Sequence, residues 1–562
     1  MKKILMVALA AALWLLPVAR LTAADAPAKM QPVVVVSLAS YDELFHDLEF
    51  IGTVSDNPDL AKGLEGLIAM FTQWQGLVGL DKTKPLGAAV TTDGGNFQVL
   101  GFVPVKDLKK LYSALAGAIG EPDDAGDGVS RFNTASVPVY VKQQGGWAFI
   151  GQSPESLTDL PEDPSKLLGD LTKSYDLGVR VHLQNIPEVF RQLAMDQLKA
   201  GVQAGLEKQQ DQDDAQAEVT KKLVQHQVEQ MMMAFNQIDQ LTVGFDIDAS
   251  GRRSLFDISV TALPDSELAK QLVASAPGAS KFSGFLASDA LLKMHFNSAV
   301  DDDDAESMAT AADSFKTQIG AEIDKSEDLD DDQEKSVVKG MVNEAIDLVI
   351  ASLKTGIANG GARISGQGPF SVVFGGYFAD GFKLEALFKK AAEYIEDDDD
   401  EDAPKVKLDV SKEDGLRFHT ITMPWQDDDN AEMAEAMLGE NLVFTLGFGS
   451  ESAFVALGPN GVKAIKEIIA NPAESKVAND SQLQLSVALA PILKFASQQK
   501  NADPLLGPVA DGLQKSGKDH VSLTASQITN GALYRLEDEE GVLKLLGVAV
   551  KAAAAQRAGG GR

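Results

Sequence analysis

The chain has 562 residues, 44% hydrophobic and 23% charged, which is enough apolar material for two to four soluble cores and too much chain for one. Its 82 acidic and 50 basic side chains give a formal charge of −32, which excludes nucleic-acid binding through clustered Lys and Arg and disfavours anionic membrane surfaces. With no cysteine, disulfides, thiolate metal sites, a Cys nucleophile and a lipidated N-terminal Cys are excluded, and 6% aromatics argue against an aromatic-lined sugar or nucleic-acid groove.

Met1–Ala26 has the layout of a secretory signal peptide: Lys2 and Lys3, the apolar run Ile4–Ala19, then small residues suiting cleavage after Ala24 or Ala26. The apolar run is shorter than the roughly 20 residues that span a bilayer, and no later stretch is long and apolar enough. The expectation is an exported chain, periplasmic or secreted, with no transmembrane segment after cleavage.

From Val33, VVVVSLASYDELF predicts a strand running into a helix, with Ser40 and Glu43 as a capping box. Asn57–Gly76 predicts a second helix with Leu60, Leu64, Leu67, Met70 and Phe71 on one face. Leu86–Val90 and Phe97–Val103 flank Asp93-Gly94-Gly95 as a hairpin, Lys106–Ile119 is a helix, and Glu121–Gly128 a polar loop. Val137–Val141 and Trp147–Ile150 form another hairpin around Gly145-Gly146. At Leu177–Leu193, alternating Val179, Val181 and Leu183 lead to Asn185 as an N-cap, with Pro187 in the first turn. The helical part reaches about Gln240, with Val224, Val228, Met231, Phe235 and Ile238 as a seam. Leu241–Asp248 and Ser254–Val260 then pair about Ala249-Ser250-Gly251, followed by a helix near Ser266–Ala274.

Beyond a boundary placed near Gly278, the strand–helix junction recurs at Leu291 and again at Leu483. Between them come a helix at Gln333–Thr355, a glycine-rich turn, strands near Phe370–Tyr377, a helix at Phe382–Ile395, and strands at Arg417–Met423, Leu442–Phe448 and Ala453–Leu457. After Leu483 follow two modest helices, strands at His520–Thr524 and Gly531–Leu536, and a helix at Glu540–Ala555. FQVLGFVPVKDLKKLYSAL at Phe97 is echoed by FSVVFGGYFADGFKLEALF at Phe370, WAFIGQSPESL at Trp147 by FVALGPNGVKAI at Phe454, and LGVRVHL by LQLSVAL, in order and at similar spacing. The expected fold class is therefore α+β: an internally duplicated chain of strand–helix–helix–hairpin units, with antiparallel sheets covered by amphipathic helices. The expected divisions are a signal peptide at 1–26, a first half at 27–278, and a second half at 279–562 carrying acidic insertions.

The signal peptide, the missing cysteine, the acidic surface and these repeated units resemble a class of large exported proteins of unassigned activity, associated with Gram-negative bacteria and planctomycetes especially. The resemblance implies an extracytoplasmic location and carries no functional residues with it.

Few local patterns point to chemistry. Asp246-Ile247-Asp248-Ala249-Ser250-Gly251 with Asp257 has the outline of a calcium loop, but Val243, Phe245 and Ile247 alternate as a strand, and a hairpin accounts for every residue. The acidic tracts Asp301–Asp304, Asp328–Asp332, Asp397–Asp400 and Asp427–Asp429 read as solvated loops able to hold divalent cations weakly. His46, His182, His226, His295, His419 and His520 share no zinc-binding spacing, and His182 and His295 are expected on the polar face of equivalent strands. Ser336–Lys339 matches S-x-x-K without the S-D-N and K-T-G elements in suitable order, and reads as coincidence. Met231-Met232-Met233 with Phe235 suits either an apolar pocket or ordinary core. No catalytic, cofactor-binding or metal-ligating residue is assigned, and no cofactor is implied. The leading reading is a non-enzymatic protein that binds an apolar ligand or a partner protein. The alternatives are a carboxylate-based hydrolase, which requires a perturbed pair of Asp or Glu, and a calcium-responsive structural protein.

Overall fold

The computed structural model describes residues 30–547, apart from 134–136, 208–231, 233, 275–279, 288–289, 327–331, 367, 396–403, 426–430, 471–480, 500–501, 503, 505 and 546. The signal segment, the Val224–Met231 seam, His226, the Gly278 boundary and the acidic tracts beginning at Asp328, Asp397 and Asp427 thus lie largely or wholly outside the described residues. The chain divides into two compact units, Met1–Leu263 with Leu543–Arg562, and Pro264–Val542. Both are mixed helix and strand built on antiparallel sheet, and no helix among the described residues is long and apolar enough to cross a membrane.

In the first unit the described strands are β1 (Gln31–Leu38), β2 (Leu86–Thr92), β3 (Phe97–Pro104), β4 (Asp123–Asp124), β5 (Val129–Asn133), β6 (Pro138–Gln144), β7 (Trp147–Gly151), β8 (Leu177–His182), β9 (Ile238–Asp248) and β10 (Arg253–Ala262). They pair antiparallel in the order β4-β5-β6-β7-β3-β2-β1-β8-β9-β10. The three predicted hairpins form where the turn residues placed them; at β2–β3, Asp93 Oδ1 accepts the N–H groups of Gly95 and Asn96. The supposed loop at Glu121–Gly128 holds the short β4, and β5 follows directly after it.

Helix α1 (Tyr41–Val54) starts as its sequence predicts, with Ser40 Oγ accepting the Glu43 N–H. Helix α2 (Leu60–Phe71) does not bury its predicted apolar face: Leu67, Met70 and Phe71 are exposed, and only Ala61 is buried. Helix α3 (Leu108–Ile119) does, packing Leu108 and Leu111 with Val105, Phe132, Val141 and Ala148. The opposite face of β3 and β7 carries Phe102, Trp147 and Phe149 into a second cluster with Val35, Leu157, Leu168 and Leu171. After β8 the chain makes a 3-10 turn before α4 (Glu188–Glu207). Asn185 lies in that turn, and its Nδ2 donates to the Pro32 carbonyl at 2.7 Å; it ties the turn to the start of β1 where N-capping was expected.

The second unit contains β11 (Leu292–Ala299), β12 (Ile357–Ser365), β13 (Ser371–Tyr377), β14 (Lys405–Glu413), β15 (Leu416–Pro424), β16 (Asn441–Gly449), β17 (Ser452–Leu457), β18 (Ser481–Ala488), β19 (His520–Ile528) and β20 (Gly531–Glu539). Their order is β14-β15-β16-β17-β13-β12-β11-β18-β19-β20, again antiparallel throughout. Strand for strand, this is the order of the first unit.

Two expectations fail here for identifiable reasons. The glycine-rich stretch read as a turn is β12. A Cβ at Gly361 would meet the Met294 carbonyl at 2.2 Å and the Phe285 ring at 2.8 Å, so glycine serves close packing at this position. Asp301–Asp304 is not a solvated loop but the start of α5 (Asp302–Lys325): Asp301 caps it, Oδ1 accepting the Asp304 N–H at 2.7 Å, where negative charge suits the helix dipole. α5 packs on α6 (Asp332–Leu353) and ion pairs join them at Lys316–Asp347 and Lys339–Asp324. The latter engages the lysine of the S-x-x-K match. Helix α7 (Gly381–Ile395) and α8 (Ala431–Leu438) follow, and α9 (Gly461–Ala470) lays Ala464, Ile465 and Ile468 on Val373, Phe418, Phe454 and Ala456. Helix α10 (Leu489–Ser497) continues from β18.

Candidate functional site

The sequence motif with the most metal-like outline dissolves in the fold. Asp248 Oδ1 accepts from Ser250 and Gly251 within the β9–β10 turn and its Oδ2 from Arg253, while Asp257 Oδ2 accepts from Tyr175 across the sheet. The carboxylates of the supposed calcium loop therefore have separate partners, as a hairpin requires.

What the fold brings together instead is a carboxyl pair. Leu38 at the end of β1 pairs with Leu177 at the start of β8, and the Ala39 N–H donates to the Asp176 carbonyl at 2.7 Å. Asp176 is thereby held beside α1, where Asp47 lies two turns in. Each residue is 5% exposed. Asp176 Oδ2 accepts the Ile247 N–H at 2.8 Å, whereas Asp47 Oδ2 has no partner. Burial, then the neighbouring Asp176 charge and hydrogen bond, then Glu43 and Asp246, push the Asp47 carboxyl up to about 8. Burial raises the Asp176 carboxyl as well, so the ionised form is disfavoured at both members of the pair, and Asp47 is the one that stays protonated towards neutral pH.

A second polar cluster sits between α7 and β15. Along β15, Leu416 and Phe418 face the apolar core under α9, so Arg417 and His419 face α7. Glu385, 2% exposed, receives Arg417 at 2.9 Å, Lys389 at 3.0 Å and His419 Nε2 at 3.2 Å. His419 Nδ1 accepts the N–H of Asp409, a residue with φ 52° at a bulge in β14. With Nδ1 accepting, the proton belongs on Nε2, and burial lowers the imidazole's pKa, so it stays neutral. Among the described residues no buried polar side-chain atom of this cluster lacks a partner, and the contacts to Glu385 and Lys389 tie α7 to the sheet. Glu385, Asp409 and His419 are close enough to hold a metal, but Lys389 and Arg417 already neutralise the carboxylate.

His295 is buried, which corrects its placement on a polar face: the turn Ser283–Leu286 covers that side of β11. Its Nε2 lies 2.7 Å from Ser280 Oγ, superficially a nucleophile–base contact. Ser280, however, donates to Asn359 Oδ1 and accepts from the Phe282 N–H, so the imidazole N–H fills its remaining lone pair. The hydroxyl is committed to structure. His182 is half-buried at the end of β8 and His46 is exposed on α1.

Two grooves accompany these clusters among the described residues. The larger, about 970 Å³, lies in the second unit and is lined by Gly368, Pro369, Leu438, Val443, Pro459 and Phe495, with Glu435, Ala436, Gly439, Glu440, Asn441, Gln498 and Gln499. The smaller, about 400 Å³, lies in the first and sets Met195 and Met232 among Gln184, Glu188, Arg191, Gln192, Asp196 and Asn236. Of the methionine run, Met231 and Met233 lie outside the described residues. No signal in the sequence marks the larger groove, because its lining comes from four separated segments. No family model, curated protein or solved structure matches the chain.

Proposed function

We propose that this chain is an exported, extracytoplasmic binding protein that takes an apolar ligand in the larger groove of its second unit. The observation that carries the reading is the lining itself: Phe495, Leu438, Val443, Pro369 and Pro459 offer apolar surface, with Asn441, Gln498 and Gln499 supplying a few polar contacts. Phe495 is anchored edge-on to Phe370 at 5.2 Å, so the apolar wall is pre-formed. The layout of Met1–Ala26 supports export. The proposal also takes the two halves as copies of one ancestral module whose helices cover an antiparallel sheet. It is supported by the identical strand orders, and by the three sequence echoes falling on β3 and β13, β7 and β17, and β8 and β18.

Organic extraction of the purified mature protein followed by mass spectrometry tests the binding reading. A stoichiometric apolar molecule is expected from the native protein and its loss from Phe495→Asp; a clean extract from natively produced protein refutes it. The Asp47–Asp176 pair favours a second reading, carboxylate-based hydrolysis, since it is the perturbed pair that chemistry needs. Its enclosure weighs against that reading.

A further inference from the structure

A third cluster, in the second unit and separate from the larger groove's lining, differs in kind from the two above. β19 and β20 pair from Val521 opposite Asp538, which brings His520, first in β19, against Glu539, last in β20. His520 Nδ1 lies 3.1 Å from Glu539 Oε2 and 3.4 Å from Asp519 Oδ1. We propose that Asp519, His520 and Glu539 form a binding site for a divalent transition metal of the zinc class, with its remaining coordination positions open to water.

Three observations carry this. The first is spacing. The three donor atoms all lie within 4.8 Å of one another. Ligand atoms about 2.0–2.2 Å from one ion stand roughly 2.9–3.6 Å apart, so both measured distances already suit a common centre. The second is orientation by other groups. Asp519 spends its second oxygen on the Ala490 N–H at 2.7 Å, at the start of α10, and the His520 N–H holds Glu539 Oε2 at 2.9 Å. Both carboxylates are thus positioned before any ion arrives. The third is charge. In the Glu385 cluster Lys389 and Arg417 take the place a cation would fill. Among the described residues no Lys or Arg pairs with Asp519 or Glu539, and the side chain facing both carboxylates is the imidazole. A metal replaces the Nδ1 proton and balances the two carboxylates, while His520 and Glu539, 24% and 28% exposed, keep water in reach. One imidazole nitrogen with two carboxylate oxygens suits zinc, cobalt or manganese, whereas calcium asks for six to eight oxygens.

The test is titration of the chelator-treated full chain with Co²⁺, read by its visible d–d absorbance, followed by displacement with Zn²⁺ and with Ca²⁺. One equivalent giving a nitrogen-ligand spectrum is expected, displaced by Zn²⁺ and not by Ca²⁺. His520→Ala is expected to abolish the band and Glu539→Gln to weaken binding at least about tenfold. His46→Ala, exposed on α1, is expected to change neither. Circular dichroism of each variant separates loss of a ligand from loss of the fold, and Glu539→Gln keeps the imidazole in place. A native chain with no such band, displacement by Ca²⁺, or an unchanged band in folded His520→Ala overturns the proposal.

Discussion

Replacing Asp47 by Asn tests whether the buried carboxyl pair makes the first unit's stability depend on pH. In the unfolded chain this carboxyl titrates near its ordinary 3.8; in the folded chain it titrates at about 8. Between those values the folded state binds one proton more than the unfolded state. The contribution of Asp47 to stability is therefore greatest below the lower value, falls as pH rises across the window, and levels off above the upper one. One proton corresponds to at most about 1.4 kcal/mol per pH unit, so passing from about pH 5 to about pH 7.5 costs the folded state on the order of 3 kcal/mol. Asparagine presents an N–H to Asp176 at every pH and carries no charge, which removes the linkage while keeping the contact. Calorimetric unfolding of Asp47→Asn and the native chain at both pH values reads the difference between them, in which the acidic groups outside the pair cancel. The variant's advantage is expected to grow by on the order of 3 kcal/mol towards the higher pH, a relative shift of roughly 6–12 °C in the first unit's transition. Parallel pH profiles for the two proteins would show that the pair does not share a proton.

Two further substitutions probe the packing around these clusters. Gly244 in β9 lies beneath the Tyr175 ring, where a Cβ would stand 2.4 Å from ring carbons. Gly244→Val is expected to displace Tyr175, break its hydrogen bond to Asp257 and lower stability by about 1–3 kcal/mol or more, measured by urea unfolding with tyrosine and tryptophan fluorescence. Glu385→Ala leaves Arg417, Lys389 and His419 without their common acceptor; because both cations are about a third exposed and Lys389 keeps Asp409, a loss of about 1–3 kcal/mol is expected in the second unit's unfolding transition. A loss under 1 kcal/mol would show that solvent replaces the carboxylate cheaply and that the network is not what fixes α7.

What the sequence discloses follows from how local each feature is. The β2–β3, β6–β7 and β9–β10 hairpins are legible because their turns are written in adjacent residues, Asp93-Gly94-Gly95, Gly145-Gly146 and Ala249-Ser250-Gly251. β14 is a different case: Val406, Leu408 and Val410 alternate with Lys405, Lys407 and Asp409, but the run follows an acidic tract and has no turn signal before it. It is an edge strand, and its lysines discourage a further strand from pairing with it. β12 hides because the Gly360-Gly361 needed for close packing looks locally like a turn. The clusters are harder still. Asp47 and Asp176 meet only because β1 pairs with β8, and Glu385 meets His419 only because α7 crosses β15, so no spacing along the chain announces either. His520 and Glu539 are an intermediate case. They lie at the two ends of one hairpin, and once the β19–β20 register is known their approach is required by it, with Asp519 brought in as the next residue along the chain. A search for H-x-x-x-H spacing therefore passes over a ligand set that strand pairing alone assembles. In an antiparallel protein the register of each hairpin has to be read before its histidines can be judged.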